Sequence, residues 1–260
     1  MTLATVIREV YRSSERHDLR DALKTLLPAD GQDWHPSGLY CFWDPATHEV
    51  LYLGLASDIQ RRFAQHNALS GSSAKGNKRE QIDSWFKTND TLGYSIIVQS
   101  AAVVLLEQMG MDTFSDIIAT GEGQLIEAHV QKFGQRPAWN KIGGSTYGAT
   151  WAGVRSPGYF GLLTGRSDSL LVARRTIRQL AAEPESVQHE MTLHSGRMHA
   201  LHNFGMTDGV DDSRIMEKLS ELAQSPYLVS ELPSHINLVA SGYLMLDAPH
   251  PERMADEVDQ

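Results

Sequence analysis

The chain has 260 residues and a formal charge of −9, with 41% hydrophobic and 21% charged residues. That suits one large domain or two small ones with real cores. It excludes a generic basic coat for nucleic acid, whose affinity comes from Lys and Arg neutralising phosphates, but not a local basic cleft. The single cysteine, Cys41, excludes an internal disulfide and a cysteine-rich zinc module. No apolar run reaches the about 20 residues of a membrane span, and the first residues lack a secretory pattern. A cytoplasmic protein with no membrane partner is expected.

Residues 1–30 form an N-terminal helical segment in this reading. Leu3, Val6, Ile7 and Val10 share a face at helical spacing, and Leu19, Leu23, Leu26 and Leu27 follow before Pro28. The polar stretch 29–37 reads as a loop. Residues 38–43 (GLYCFW) and 49–54 (EVLYLG) read as two strands, joined by an Asp-Pro turn into a hairpin. Ser57-Asp58 starts a helix carrying Ile59, Arg62, Phe63 and His66. A short helix at 80–86 and a third strand at 94–99 (YSIIVQ) come next, then apolar residues 101–109. Residues 120–133 form a clear helix closed by Gly134, and Pro137-Ala-Trp-Asn140 leads into the turn Gly143-Gly144-Ser145.

The expected class is α+β: a small three-stranded antiparallel sheet flanked by helices, within a domain at 31–150. Residues 151–260 read as a mainly helical extension of unknown role. Its helices fall at 168–182 and 212–223, with an ambiguous strand at 236–246. Arg174, Arg175 and Arg178 would form a solvated helix edge there. The spacing of His189-Glu190 to His194 is one residue too long for a zinc-binding helix face.

Chemistry-bearing residues sit at defined points of this order. Gly38-Leu39-Tyr40 opens the first strand, and Tyr52-Leu53-Gly54 ends the second. Arg62 follows on the next helix, with His66 one turn later on the same face. Glu127 lies on the later helix, and Asn140 follows it. In order, these pieces resemble the GIY-YIG nuclease family over residues 38–140. Gly38-Leu39-Tyr40 stands for one half of the signature and Tyr52-Leu53-Gly54 for the other. GLASDIQRRF (54–63) is similar to the segment with the family's arginine, and EGQLIEAHVQKFGQRPAWN (122–140) to its metal-binding helix and terminal asparagine.

The resemblance implies a metal-dependent endonuclease. Tyr40 would act as, or orient, the general base, and Tyr52 would position water or phosphate. Arg62 would grip phosphate oxygens bidentately, and His66 would assist proton transfer. Glu127 would hold Mg²⁺ or Mn²⁺ with waters and substrate phosphate. Asn140 would brace the site, and Gly54 would let the backbone turn beside the substrate. Glu122 is the rival metal ligand; the distance to Asn140 favours Glu127. Leu55 stands where excision-repair members carry lysine.

Between residues 61 and 90 there are six basic residues against three acids, a local excess in an acidic chain. Arg61, Lys75, Lys78 and Arg79 are the expected substrate contacts. The expected partner is DNA, with RNA not distinguished from it. A double-strand cut would call for a homodimer. The alternative is a non-catalytic nucleic-acid-binding or protein-interaction module that keeps the scaffold.

Overall fold

A computed structural model describes residues 5–28, 34–70, 76–99, 114–153, 158–167 and 172–183. Its centre is a four-stranded antiparallel sheet flanked by helices, an α+β arrangement. Three strands fall where the sequence puts them: β2 (Gly38–Trp43), β3 (Val50–Ala56) and β4 (Thr91–Val98).

The fourth strand is a correction. Residues Thr5–Arg12 are not helical; they form β1, paired with β4 from Thr5↔Val98 to Arg12↔Thr91. The strand order is β1-β4-β2-β3. The run Thr5-Val6-Ile7 and Val10-Tyr11 is β-branched and aromatic, which favours a pleated, buried surface over a helix. The helix begins only at α1 (Arg16–Leu26), which buries Leu19, Leu23 and Leu26 at helical spacing.

Alternation of side chains along each strand divides the sheet into two faces. Tyr40, Phe42, Tyr52, Tyr94 and Ile96 point to one face and pack with residues of α1 and of α2 (Ile59–His66). Ile82, on the short helix α3 (Arg79–Trp85), joins the same cluster. Leu39, Cys41, Trp43, Leu53 and Ile97 point to the other face. There they meet Ile118, Leu125 and Ile126 of α4 (Phe114–Phe133).

The chain then forms α5 (Thr146–Ala149), α6 (Tyr159–Leu163) and α7 (Ile177–Ala182). Phe160 and Leu163 of α6 join the α4 side, while Ile177 and Leu180 of α7 join the α1 side. Among the described residues of the helix expected at 168–182, which start at Val172, Ile177–Ala182 is helical, and Val172 bridges to Val6 as an extended residue. Arg178 is not a solvated cation. It pairs with the buried Glu9 at 3.1 Å and with Glu15 at 2.9 Å. Arg175 pairs with Glu183. The apolar run 101–109, the histidines from His189 onward and the elements expected at 212–223 and 236–246 lie outside the described residues. No helix among the described residues is long and apolar enough to cross a membrane.

Candidate active site

The site grows from one pair of opposed residues. Tyr40 on β2 lies directly across from Gly54 on β3. A Cβ at Gly54 would stand 2.6 Å from the Tyr40 hydroxyl and 2.8 Å from the Tyr52 ring. The missing side chain is what lets two tyrosines lie over that point of the sheet. Their ring centroids are 5.8 Å apart.

Helix α2 brings the next two groups. Asp58 caps it, its carboxylate accepting from the Arg61 backbone N–H at 2.8 Å. Ile59 and Phe63 anchor one face in the core. Arg62 and His66, four residues apart, then look over the tyrosines as the sequence predicts. Arg62 Nε donates to the Tyr40 hydroxyl at 3.3 Å, and its terminal nitrogens donate to Gln65 Oε1 at 3.1 Å and the Gly76 carbonyl at 3.2 Å. His66 Nε2 is 2.8 Å from the Tyr40 hydroxyl.

The second nitrogen of His66 fixes its state. The Lys78 backbone N–H donates to His66 Nδ1 at 2.8 Å, so Nδ1 carries no proton. A neutral ring then bears its proton on Nε2 and donates it to Tyr40. Burial, with the charges of Arg62 and Lys78 beside it, pushes the His66 pKa down to about 3. The geometry makes His66 a hydrogen-bond donor to Tyr40. Burial also holds the Tyr40 phenol well above its ordinary pKa, raised further by Tyr52 and opposed by Arg62. The Tyr52 phenol is raised by burial too.

The positive side of the cleft is built by three cations. Arg62 is one. Lys78 is buried, with its ammonium 4.6 Å from the centroid of the Tyr52 ring. Lys141 is the third: burial lowers the Lys78 pKa, and the nearby charges of Lys141 and Arg62 lower it further. The other expected substrate contacts are not gathered here. Arg61 is exposed, Arg79 pairs with Asp83 at 3.6 Å, and Lys75 lies outside the described residues.

The acidic side comes from Glu122. Its carboxylate accepts from the Leu55 backbone N–H and lies close enough to Tyr52 and Arg62 to act on them electrostatically. Burial raises its pKa, while the Leu55 bond and Arg62 oppose the rise. Glu127 is five residues further on, about 140° round the helix. Its carboxylate takes up Gln131 Nε2 at 3.3 Å. Of the two carboxylates, Glu122 is the one brought to the tyrosines. The helix is held at that level by contacts no spacing rule foresees. A Cβ at Gly123 would strike the Ser145 carbonyl at 2.2 Å, and one at Gly148 the Thr120 carbonyl at 2.2 Å. The glycines inside the pattern TGEGQL were the available signal of such close approach.

Asn140 braces β3. Its Oδ1 accepts from the Leu53 N–H at 2.9 Å, and its Nδ2 donates to the Leu53 carbonyl at 2.8 Å. Just before it, the Trp139 N–H donates to the Leu51 carbonyl at 2.8 Å. The amide thus continues the strand pairing in place of a further strand, with Glu122 taking the next outward group at Leu55. Sequence reasoning missed Lys141, whose only signal was its place between Asn140 and the glycine turn.

A divalent cation here would have one protein carboxylate. Among the described residues, no group of three His, Cys, Asp or Glu side chains converges. One carboxylate beside a cluster of cations would fit Mg²⁺, which keeps several waters and is bound by one or two carboxylates together with an anionic ligand. It does not fit a structural zinc site. No family model, no curated protein and no solved structure matches this chain.

Proposed function

We propose that the protein is a metal-dependent endonuclease that hydrolyses phosphodiester bonds in DNA. The observation that carries this reading is the convergence of Tyr40, Tyr52, Arg62, His66, Lys78 and Glu122 on one cleft from five separate segments. Three cations face a lone carboxylate there, a balance suited to an anionic substrate. The resemblance to GIY-YIG nucleases supports the same reaction class.

Arg62 and Lys141 would bind the phosphate, Arg62 with its guanidinium fork. Lys78 would add positive charge from the start of α3, while on β3 the chain has Leu55 where excision-repair members of that family carry lysine. Glu122 would hold the divalent cation, which would supply positive charge to the reacting phosphate and help activate water. Tyr40 would accept the proton of the attacking water in its phenolate form. Arg62 Nε–H and His66 Nε2–H are both aimed at its oxygen and would stabilise that charge. His66 positions Tyr40 and takes no proton itself.

The test is supercoiled plasmid with Mg²⁺ or Mn²⁺. Wild type nicks or linearises it, and EDTA stops the reaction. Glu122→Gln loses at least about a hundredfold in rate, the scale of removing one transition-state charge partner. Glu127→Gln cuts within about twofold of wild type. If Glu127→Gln is the inactive variant, the placement of the metal is wrong. If wild type cuts neither plasmid, branched DNA nor RNA, the non-catalytic binding module takes its place.

A further inference from the structure

A cavity of about 530 Å³ opens away from the tyrosines. Its walls are the turn between β2 and β3, the C-terminal end of α4, and the stretch from Gly158 to Ser167 that holds α6. None of its lining residues belongs to the Tyr40 cleft. The volume falls within the range of about 300–1,000 Å³ usual for small-molecule sites.

Two cations line this cavity. Lys132 Nζ lies 5.2 Å from the centroid of the Phe133 ring and 6.0 Å from that of Phe160. Arg166 Nη2 donates to the Thr47 carbonyl at 2.8 Å, which ties the guanidinium to the hairpin turn and leaves its other N–H groups for a ligand. Neither cation forms an ion pair among the described residues. Against them the lining sets one carboxylate, Glu49.

Two imidazoles share the wall. His129 Nδ1 donates to the Gln135 carbonyl at 2.7 Å, and His48 Nδ1 donates to the Thr164 carbonyl. A carbonyl only accepts, so in each neutral ring Nδ1 holds the proton and Nε2 is a bare acceptor. Burial pushes the His129 pKa below the ordinary imidazole value, which keeps that ring neutral. The rest of the surface is flat and apolar. The His129 ring centroid is 4.6 Å from that of Phe133 and 5.4 Å from that of Phe160. Phe160 is buried, whereas Phe133 is half exposed.

We infer that this cavity binds a small phosphate ester carrying a flat ring and hydroxyl groups, the build of a nucleoside monophosphate. Each part of that ligand answers a group already in place. Lys132 and the open guanidinium edge of Arg166 answer the phosphate. The Nε2 atoms of His48 and His129 accept from sugar hydroxyls. The exposed part of the Phe133 ring offers an apolar surface beside Lys132, so ring and anion are received side by side. Two cations against Glu49 favour an anion over a cation. The volume favours the ester over a bare phosphate ion, which would leave most of the space to water.

Calorimetry on the full-length protein in EDTA tests this with three probes: adenosine monophosphate, adenosine and inorganic phosphate. The nucleotide should bind at least about tenfold more tightly than adenosine or phosphate alone, the scale of one charge-assisted contact. Lys132→Met and Arg166→Met should each weaken nucleotide binding by about tenfold or more. Both side chains are exposed, so thermal unfolding should stay as in wild type. Lys141→Met takes its charge from the Tyr40 cleft instead and should bind the nucleotide as wild type does. Equal affinity for nucleotide and adenosine, or for nucleotide and phosphate, overturns the inference. So does full affinity in the Lys132 and Arg166 variants, loss of binding in Lys141→Met, or no binding at millimolar nucleotide. Cleavage is not part of the readout, so the nuclease reading stands or falls separately.

Discussion

The two faces of the sheet are made from alternate residues of the same strands, yet they do different work. On one face Tyr40, Arg62 and His66 are tied by directed hydrogen bonds whose donors and acceptors can be named atom by atom, with Tyr52 packed against Tyr40 and His66. On the other, Leu39, Cys41, Leu53 and Ile97 meet α4 through apolar contact alone. A single-residue alternation thus separates chemistry from packing. The exception is Glu122, which belongs to the helix of the apolar face and reaches the tyrosines past β3, the last strand of the sheet. A helix that packs on one face can therefore serve the other only where the sheet ends.

This contrast can be broken most sharply at Tyr40. Tyr40→Phe removes the acceptor of two donors, and cleavage should fall by about 10²–10⁴-fold, with the fold retained by circular dichroism. Retention of activity would move the base elsewhere. On the apolar face the balance reverses. Ile97→Ala should cost about 2–5 kcal/mol in chemical denaturation and leave the rate per folded molecule within about twofold. A large loss of rate there would show that the faces are not independent.

The polar face also sets a pH dependence. The pKa of His66 is lower folded, at about 3, than unfolded, at about 6.5. Between those values the unfolded chain binds the extra proton, so stability falls as pH drops from about 6.5 toward 3. His66→Gln should flatten that part of the stability curve. Cleavage should rise with pH instead, by up to about tenfold per unit from 7 to 9, because the phenolate of Tyr40 is the scarce form. A flat profile would mean that Tyr40 orients water without taking its proton.

The smallest expected effects refine the comparison within each region. Asn140→Ala should cost about 1–3 kcal/mol by leaving the Leu53 N–H and carbonyl without their side-chain partner. Tyr94 shares the polar face, but its buried hydroxyl has no hydrogen-bond partner. Tyr94→Phe should leave stability unchanged or raise it by up to about 1 kcal/mol, with cleavage unaltered.

Much of this arrangement is legible in the sequence where the signal is local. The hairpin of β2 and β3, the Asp58 cap of α2 and the shared face of Arg62 and His66 all follow from neighbours within a few residues. What is not legible depends on distant partners. Val6, Ile7 and Val10 satisfy a helical period as well as a strand's, and only pairing with β4, some ninety residues away, decides between them. Glu122 and Glu127 are equivalent as residue types. The choice between them comes from how far α4 slides along the sheet, which Gly123 and Gly148 set through backbone contact with Ser145 and Thr120. The state of His66 is hidden for the same reason, since its second nitrogen is taken by a backbone N–H twelve residues on.

The outer side of β3 has a consequence for assembly. Trp139 occupies the Leu51 carbonyl, Asn140 both polar groups of Leu53, and Glu122 the N–H of Leu55. At the opposite margin, the Ala173 N–H is bound to the Val6 carbonyl. Strand-by-strand growth onto another copy therefore finds its docking groups taken at both ends. A dimer that makes two cuts would have to meet through helices or loops, not by merging sheets. The carboxylate proposed to hold the metal is also one of the groups that keep the sheet from recruiting its neighbour, so losing it should increase the tendency to aggregate.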